Sequence, residues 1–112
     1  MIKRFKPALI GAITLLKKDI NFLLHILCAV LVILTGLLLK LSAVEWMFLC
    51  IAIFTVLITE AMNTAIEYAV DLTTVEYHVW AKHAKDIAAF TVLLASILAV
   101  IIGLIIFIPK II

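Results

Sequence analysis

Residues 44–72 read VEWMFLCIAIFTVLITEAMNTAIEYAVDL. The first half is apolar almost without interruption, and the second carries Glu60, Asn63, Glu67 and Asp71 at offsets of 0, 3, 7 and 11. At about 100° per residue these four fall within a sector of roughly 80°, which predicts one continuous helix with a polar stripe along one face. The run is longer than the ~20 residues that cross a hydrocarbon core, so its last turns should project into water. Counted from Val44 at about 1.5 Å per residue, Glu60 lies roughly 24 Å into the membrane, at headgroup level, and Glu67 at or beyond the boundary. A carboxylate at the bilayer centre costs about 2.5–3.5 kcal/mol even on lenient insertion scales, and Glu60 still lies in a largely apolar run, so its presence asks for a functional reason.

The rest of the chain fits this setting. Of 112 residues, 68% are hydrophobic and 14% charged, against about 45–50% and about 25% in soluble domains. We expect an all-α membrane protein forming a single domain over 1–112: a surface helix at about 1–19 and spans at about 22–39, 44–66 and 87–108. The basic N-terminus has no small-residue cleavage site, so no cleavable signal is expected. Lys3, Arg4, Lys6, Lys17 and Lys18 flank an apolar stretch in which Gly11, Thr14 and Lys18 share one face and Leu9, Ile13 and Leu16 enter lipid. Pro7 suits a first helical turn. Lys40 ends the first span, and Ser42 to Glu45 has the spacing of a capping box, which gives Glu45 a structural role. Trp46 belongs to the interfacial aromatic belt. The third span should stop at Pro109. Cys28 and Cys50 lie at unmatched depths and are read as packing residues. Seven Lys and Arg flank one side, in the N-terminal segment and at Lys82 and Lys85, against Lys40 and Lys110 on the other. That count places the N-terminus and the 71–86 loop in the cytoplasm.

The polar segment between the last two spans adds Glu76, Tyr77, His78, Lys82, Lys85 and Asp86 to the stripe. Carboxylates beside lysines suit a phosphate–Mg²⁺ unit, because Mg²⁺ is held by one or two carboxylates plus phosphate oxygens and Lys acts on phosphate as a point charge. Phosphoryl transfer needs little else than positioning, a cation, a group to orient the attacking hydroxyl, and positive charge. Bland readings stand beside this one. Thr73 to Glu76 can be a capping box, Asp86 can complement a helix N-terminus, and His25 can be a helix–helix hydrogen bonder. With only Gly11, Gly36 and Gly103, neither GxxxxGK[ST] nor GxGxxG can be written, which excludes the usual soluble phosphate cradles.

The run EAMNTAIEYAVDLTTVEYHVWAKHAKDIAAFTVLLAS, residues 60–96, resembles the signature E-x-x-N-[ST]-A-[IL]-E-x-x-V-D, followed by E-Y-H and A-K-D, of the small prokaryotic diacylglycerol kinase and undecaprenol kinase family. The resemblance implies a homotrimeric bundle with sites built between subunits, ATP as cosubstrate and Mg²⁺ as cofactor, in the bacterial inner membrane, with no nucleic-acid partner. It implies Glu60 as the base on the lipid hydroxyl with Asn63 beside it, Glu67 as a Mg²⁺ ligand, and Glu76, Tyr77, His78, Lys85 and Asp86 as ATP contacts. Asp19 stands where the family pattern E-R-N-F-R-x-H has its glutamate, and so is the expected second metal ligand. Asn21, Phe22 and His25 of the same pattern, with Glu60 and Trp46, are the expected lipid contacts. The NFxxH and AKxAKD spellings look more like the undecaprenol kinase branch. Undecaprenol is therefore the expected substrate, and diacylglycerol the alternative. A reading from another class, a non-catalytic oligomeric scaffold or cation-conducting subunit, explains Glu60 but not its polar companions.

Overall fold

The computed structural model describes residues 2–73 and 76–112, which form four helices: α1 Ile2–Lys18, α2 Ile20–Leu39, α3 Ala43–Thr73 and α4 Val79–Ile111. The last three are long and apolar enough to cross a membrane. No strand occurs among the described residues, in keeping with a bilayer, where backbone groups must be satisfied within the segment.

Each boundary has a local cause. Between α1 and α2 the chain breaks at Asp19, whose extended backbone (φ −108°, ψ 99°) lets Oδ1 accept from the amides of Asn21 and Phe22 at 3.0 and 3.2 Å. This is an N-cap, and it fixes the angle at which the surface helix meets the first span. Lys40 ends α2 in the left-handed region (φ 53°) and sends its amide back to the Gly36 carbonyl. Gly36 is required there: a Cβ on it would lie 2.9 Å from both Leu41 Cδ1 and Trp46 Cη2, which fold back over the turn. The capping box is complete, with the Ser42 amide on Glu45 Oε1 at 2.9 Å and the Glu45 amide on Ser42 Oγ at 3.2 Å.

Two expectations shift. Pro7 lies a full turn inside α1, because that helix already runs from Ile2. Pro109 does not stop α4, which continues to Ile111; in the last turn proline removes one hydrogen bond without a following turn to disrupt. The cap ahead of α4 is His78, whose Nδ1 accepts the Trp80 amide at 3.1 Å. The expected Thr73–Glu76 box spans residues 74 and 75, which lie outside the described residues.

The interior is a narrow seam. α3 buries Leu49, Ala52, Val56 and Glu60, and α4 contributes Ala88, Ala95 and Ile106. Small residues let two helices approach closely where lipid offers no hydrophobic drive to association. At the Ser42 end, Leu41, Leu49 and Ile106 cluster with Trp46 and Phe107 packed around them. Lys110 reaches Glu45 at 3.1 Å and ties the end of α4 to the start of α3. Most other large apolar side chains of the spans face outward, as lipid-facing residues do.

Candidate active site

The buried face of α3 runs Leu49, Ala52, Val56, Glu60, a spacing that keeps all four on one side of the helix. Glu60 is thus the polar end of a buried apolar stripe, and it is 4% exposed. It opens into a cavity of about 230 Å³ at the junction of three elements. Helix α1 supplies Thr14, Leu15 and Lys18; the break and the start of α2 supply Asp19 and Asn21; α3 supplies Glu60, Thr64, Glu67, Tyr68 and Asp71. The surface helix therefore turns its polar face, not its apolar one, toward the carboxylates. Leu9, Ile13 and Leu16 remain exposed.

Thr64 and Tyr68 were not among the residues expected here, and neither were Thr14 and Lys18. Relative to Glu60, Thr64 sits about +40° around the helix and Asn63 about −60°, so Thr64 is nearer the centre of the cavity face. Its hydroxyl donates to Asp19 Oδ2 at 2.5 Å, joining α3 to the cap of α2. Asn63 lies off the cavity wall. Its Nδ2 donates to Glu67 Oε1 at 3.1 Å, while its Oδ1 is buried without a partner among the described residues. A buried acceptor left unpaired costs about 1–3 kcal/mol, which leaves a place for a donor.

Asp71 also lines a second cavity of about 430 Å³, walled by Glu76, Tyr77, His78, Lys82, Lys85 and Asp86. All five residues expected to contact ATP meet there. Lys85 Nζ lies 2.6 Å from Asp71 Oδ1, and Lys82 Nζ 2.6 Å from Asp86 Oδ2. These bonds hold both ammonium groups, which precede the apolar stretch beginning at Ile87, above the usual lysine range; the hydrogen bond to Asp71 is the main cause at Lys85 and that to Asp86 at Lys82.

The remaining expected lipid contacts are dispersed. Asn21 lines the carboxylate cavity. Phe22 gives its amide to Asp19. His25 opens instead into an apolar groove of about 520 Å³ running along α2, α3 and α4, with Cys28, Val56, Ser96 and Gly103. Trp46 lies 14 residues before Glu60, about 21 Å along the helix, and packs over Gly36.

The donor set suits a hard cation brought by a nucleotide. Asp19, Glu67 and Asp71 offer only oxygen, yet no group of three His, Cys, Asp or Glu among the described residues could hold an ion by itself. Mg²⁺ takes one or two carboxylates and completes its shell with phosphate and water, so an open arrangement of this kind fits it.

A sequence model of the family described as prokaryotic diacylglycerol kinase matches residues 6–107. The chain is 44% identical over 90 residues to undecaprenol kinase of Bacillus subtilis, a match covering 80% of this chain and 73% of that protein. It is 48% identical over 84 residues to diacylglycerol kinase of Synechocystis sp., covering 74% of this chain and 48% of that one. Against diacylglycerol kinase of Escherichia coli (strain K12) the figures are 40% over 63 residues, 56% and 52%. With its sequence model matched over nearly the whole chain, this protein belongs to the prokaryotic diacylglycerol kinase family.

Proposed function

We propose that the chain transfers the γ-phosphoryl group of ATP to the hydroxyl of undecaprenol, with diacylglycerol as the second candidate acceptor. The observation that carries the reading is the adjacency of the two cavities: Glu60 ends a buried apolar stripe in the first, Lys82 and Lys85 line the second, and Asp71 lines both. A lipid hydroxyl arriving along the apolar face meets Glu60, which accepts its proton as the oxygen attacks phosphorus. Asn63 stands beside Glu60 and holds the Glu67 carboxylate through its Nδ2. In the loop cavity Glu76, Tyr77 and His78 bind the nucleotide. Lys85 exchanges Asp71 for a phosphate oxygen and Asp86 keeps Lys82 in place. Glu67 and Asp19 would hold Mg²⁺, which would offset charge on the phosphates. Asn21, Phe22, His25 and Trp46 contact the lipid at increasing depth, and the apolar groove beside His25 is wide enough for part of a long chain.

The site end faces the cytoplasm of a bacterial inner membrane. The Lys and Arg count favours that side, and ATP is available there. The assembly is the homotrimer that the family resemblance implies; the few side chains buried within one chain support packing of its spans against further helices. Undecaprenol is favoured over diacylglycerol because the match to the undecaprenol kinase runs along a larger share of both chains. The scaffold or conducting-subunit reading has no comparable support.

Purified protein in mixed micelles with γ-labelled ATP and each lipid tests this. Label on undecaprenol with a higher kcat/KM than on diacylglycerol is the expected result. Preference for diacylglycerol exchanges the two acceptors, and label on neither removes the kinase reading.

A further inference from the structure

We propose that Thr64 is a positioning residue that aims the Asp19 carboxylate at the cation a nucleotide brings to the site. Three observations support it. The Asp19 carboxylate is already heavily engaged: Oδ1 accepts two backbone amides and Oδ2 accepts the Thr64 hydroxyl. A carboxylate has about four acceptor sites; these bonds take three, the Glu60 carboxyl lies beside it as well, and the three bonds decide where the carboxylate points.

The second observation is the behaviour of the other threonines. The hydroxyls of Thr14, Thr35, Thr55, Thr59, Thr73 and Thr91 donate to carbonyls within their own helices. This is the default for a hydroxyl in an apolar helix. Among the described residues Thr64 alone sends its hydroxyl to a side chain of another element.

Third, Thr64 lies one turn from Glu60 and one turn from Glu67 on the same face, and lines the cavity with both. Its bond spans 45 positions in sequence and links the face bearing Glu60 and Glu67 to the break between α1 and α2. Asp19 reaches one methylene less than the glutamate of the family pattern, so a clamp from α3 matters more for it. Partners that orient metal-ligating carboxylates typically cost about 10–100-fold in metal affinity when removed.

The inference rests on the kinase reading only in taking the cation as one delivered with a nucleotide. It is tested without turnover. Full-length protein in detergent, with a non-hydrolysable ATP analogue and no lipid, is titrated with Mn²⁺ while free Mn²⁺ is followed by electron paramagnetic resonance. Thr64→Val, which keeps shape but not the hydroxyl, is expected to weaken Mn²⁺ binding about tenfold. Thr64→Ser should restore it, and Thr64→Val should add no further loss in an Asp19→Ala background. The proposal is overturned if Thr64→Val binds Mn²⁺ like the wild type, if Thr64→Ser fails to restore binding, or if the two losses add independently. A wild type that phosphorylates no lipid would remove the kinase reading and leave this titration intact.

Discussion

Glu60 owes its burial to helical arithmetic, since it continues the face on which Leu49, Ala52 and Val56 are buried. A carboxylate held there, beside Asp19 and Glu67, can take a proton from a hydroxyl that approaches through lipid. Positioned general bases contribute about 10²–10⁴-fold, so Glu60→Gln should lower kcat by at least about 10²-fold while equilibrium binding of an ATP analogue stays unchanged. A loss of nucleotide affinity instead would move Glu60 out of the proton-transfer role. Lys85 behaves differently. Its pair with Asp71 is solvent-exposed on both sides, and exposed pairs contribute only about 0–1 kcal/mol. Lys85→Gln should therefore leave Tm nearly unaltered and raise the KM for ATP about tenfold, the ~1.4 kcal/mol of one charged contact to phosphate. Of these residues the charged ones were legible in the sequence, because charge in an apolar run is conspicuous. Thr64 was not, since a threonine in such a helix satisfies itself on its own backbone and nothing in its neighbours' spelling marks the exception.

Among the helices, α3 has two jobs at its two ends. Its first turn is fixed by the reciprocal Ser42–Glu45 bonds and by Lys110 on the same carboxylate; its last turns carry Glu67 and Asp71 to the cavities. Helix caps of this type are worth about 1 kcal/mol. Ser42→Ala should lower stability by that amount in thermal denaturation and leave both KM values unchanged, because Glu60 is about 27 Å away along the helix. A change in KM would show that the two ends are coupled. The capping box could be read from S-x-x-E alone. The persistence of α4 through Pro109 and the His78 cap could not, because both depend on which residues the preceding turns leave unsatisfied.

The whole molecule is thin, with principal extents of 52 × 36 × 22 Å, and its α3–α4 seam depends on small side chains. Ala95, 4% exposed, has no room for growth. Ala95→Leu should overpack the seam at a cost of about 1–3 kcal/mol, shift α4 against α3, and reduce activity by pulling Lys85 away from Asp71. Unaltered turnover with lowered Tm would mean that the Lys85–Asp71 end of the two helices holds its geometry independently of the seam. The sequence by itself determined the number of candidate spans and the stripe of polar residues from Glu60 to Asp71, because length, hydropathy and a period of 3.6 are local properties. Only the tertiary structure decided that Asp19 is locked to Thr64, that the surface helix offers Thr14 and Lys18 to the cavity, and that His25 faces an apolar groove instead. Those choices depend on the rotation of one helix against another, which the packing of Gly36, Ala52, Ala88 and Ala95 fixes and which no single helix encodes.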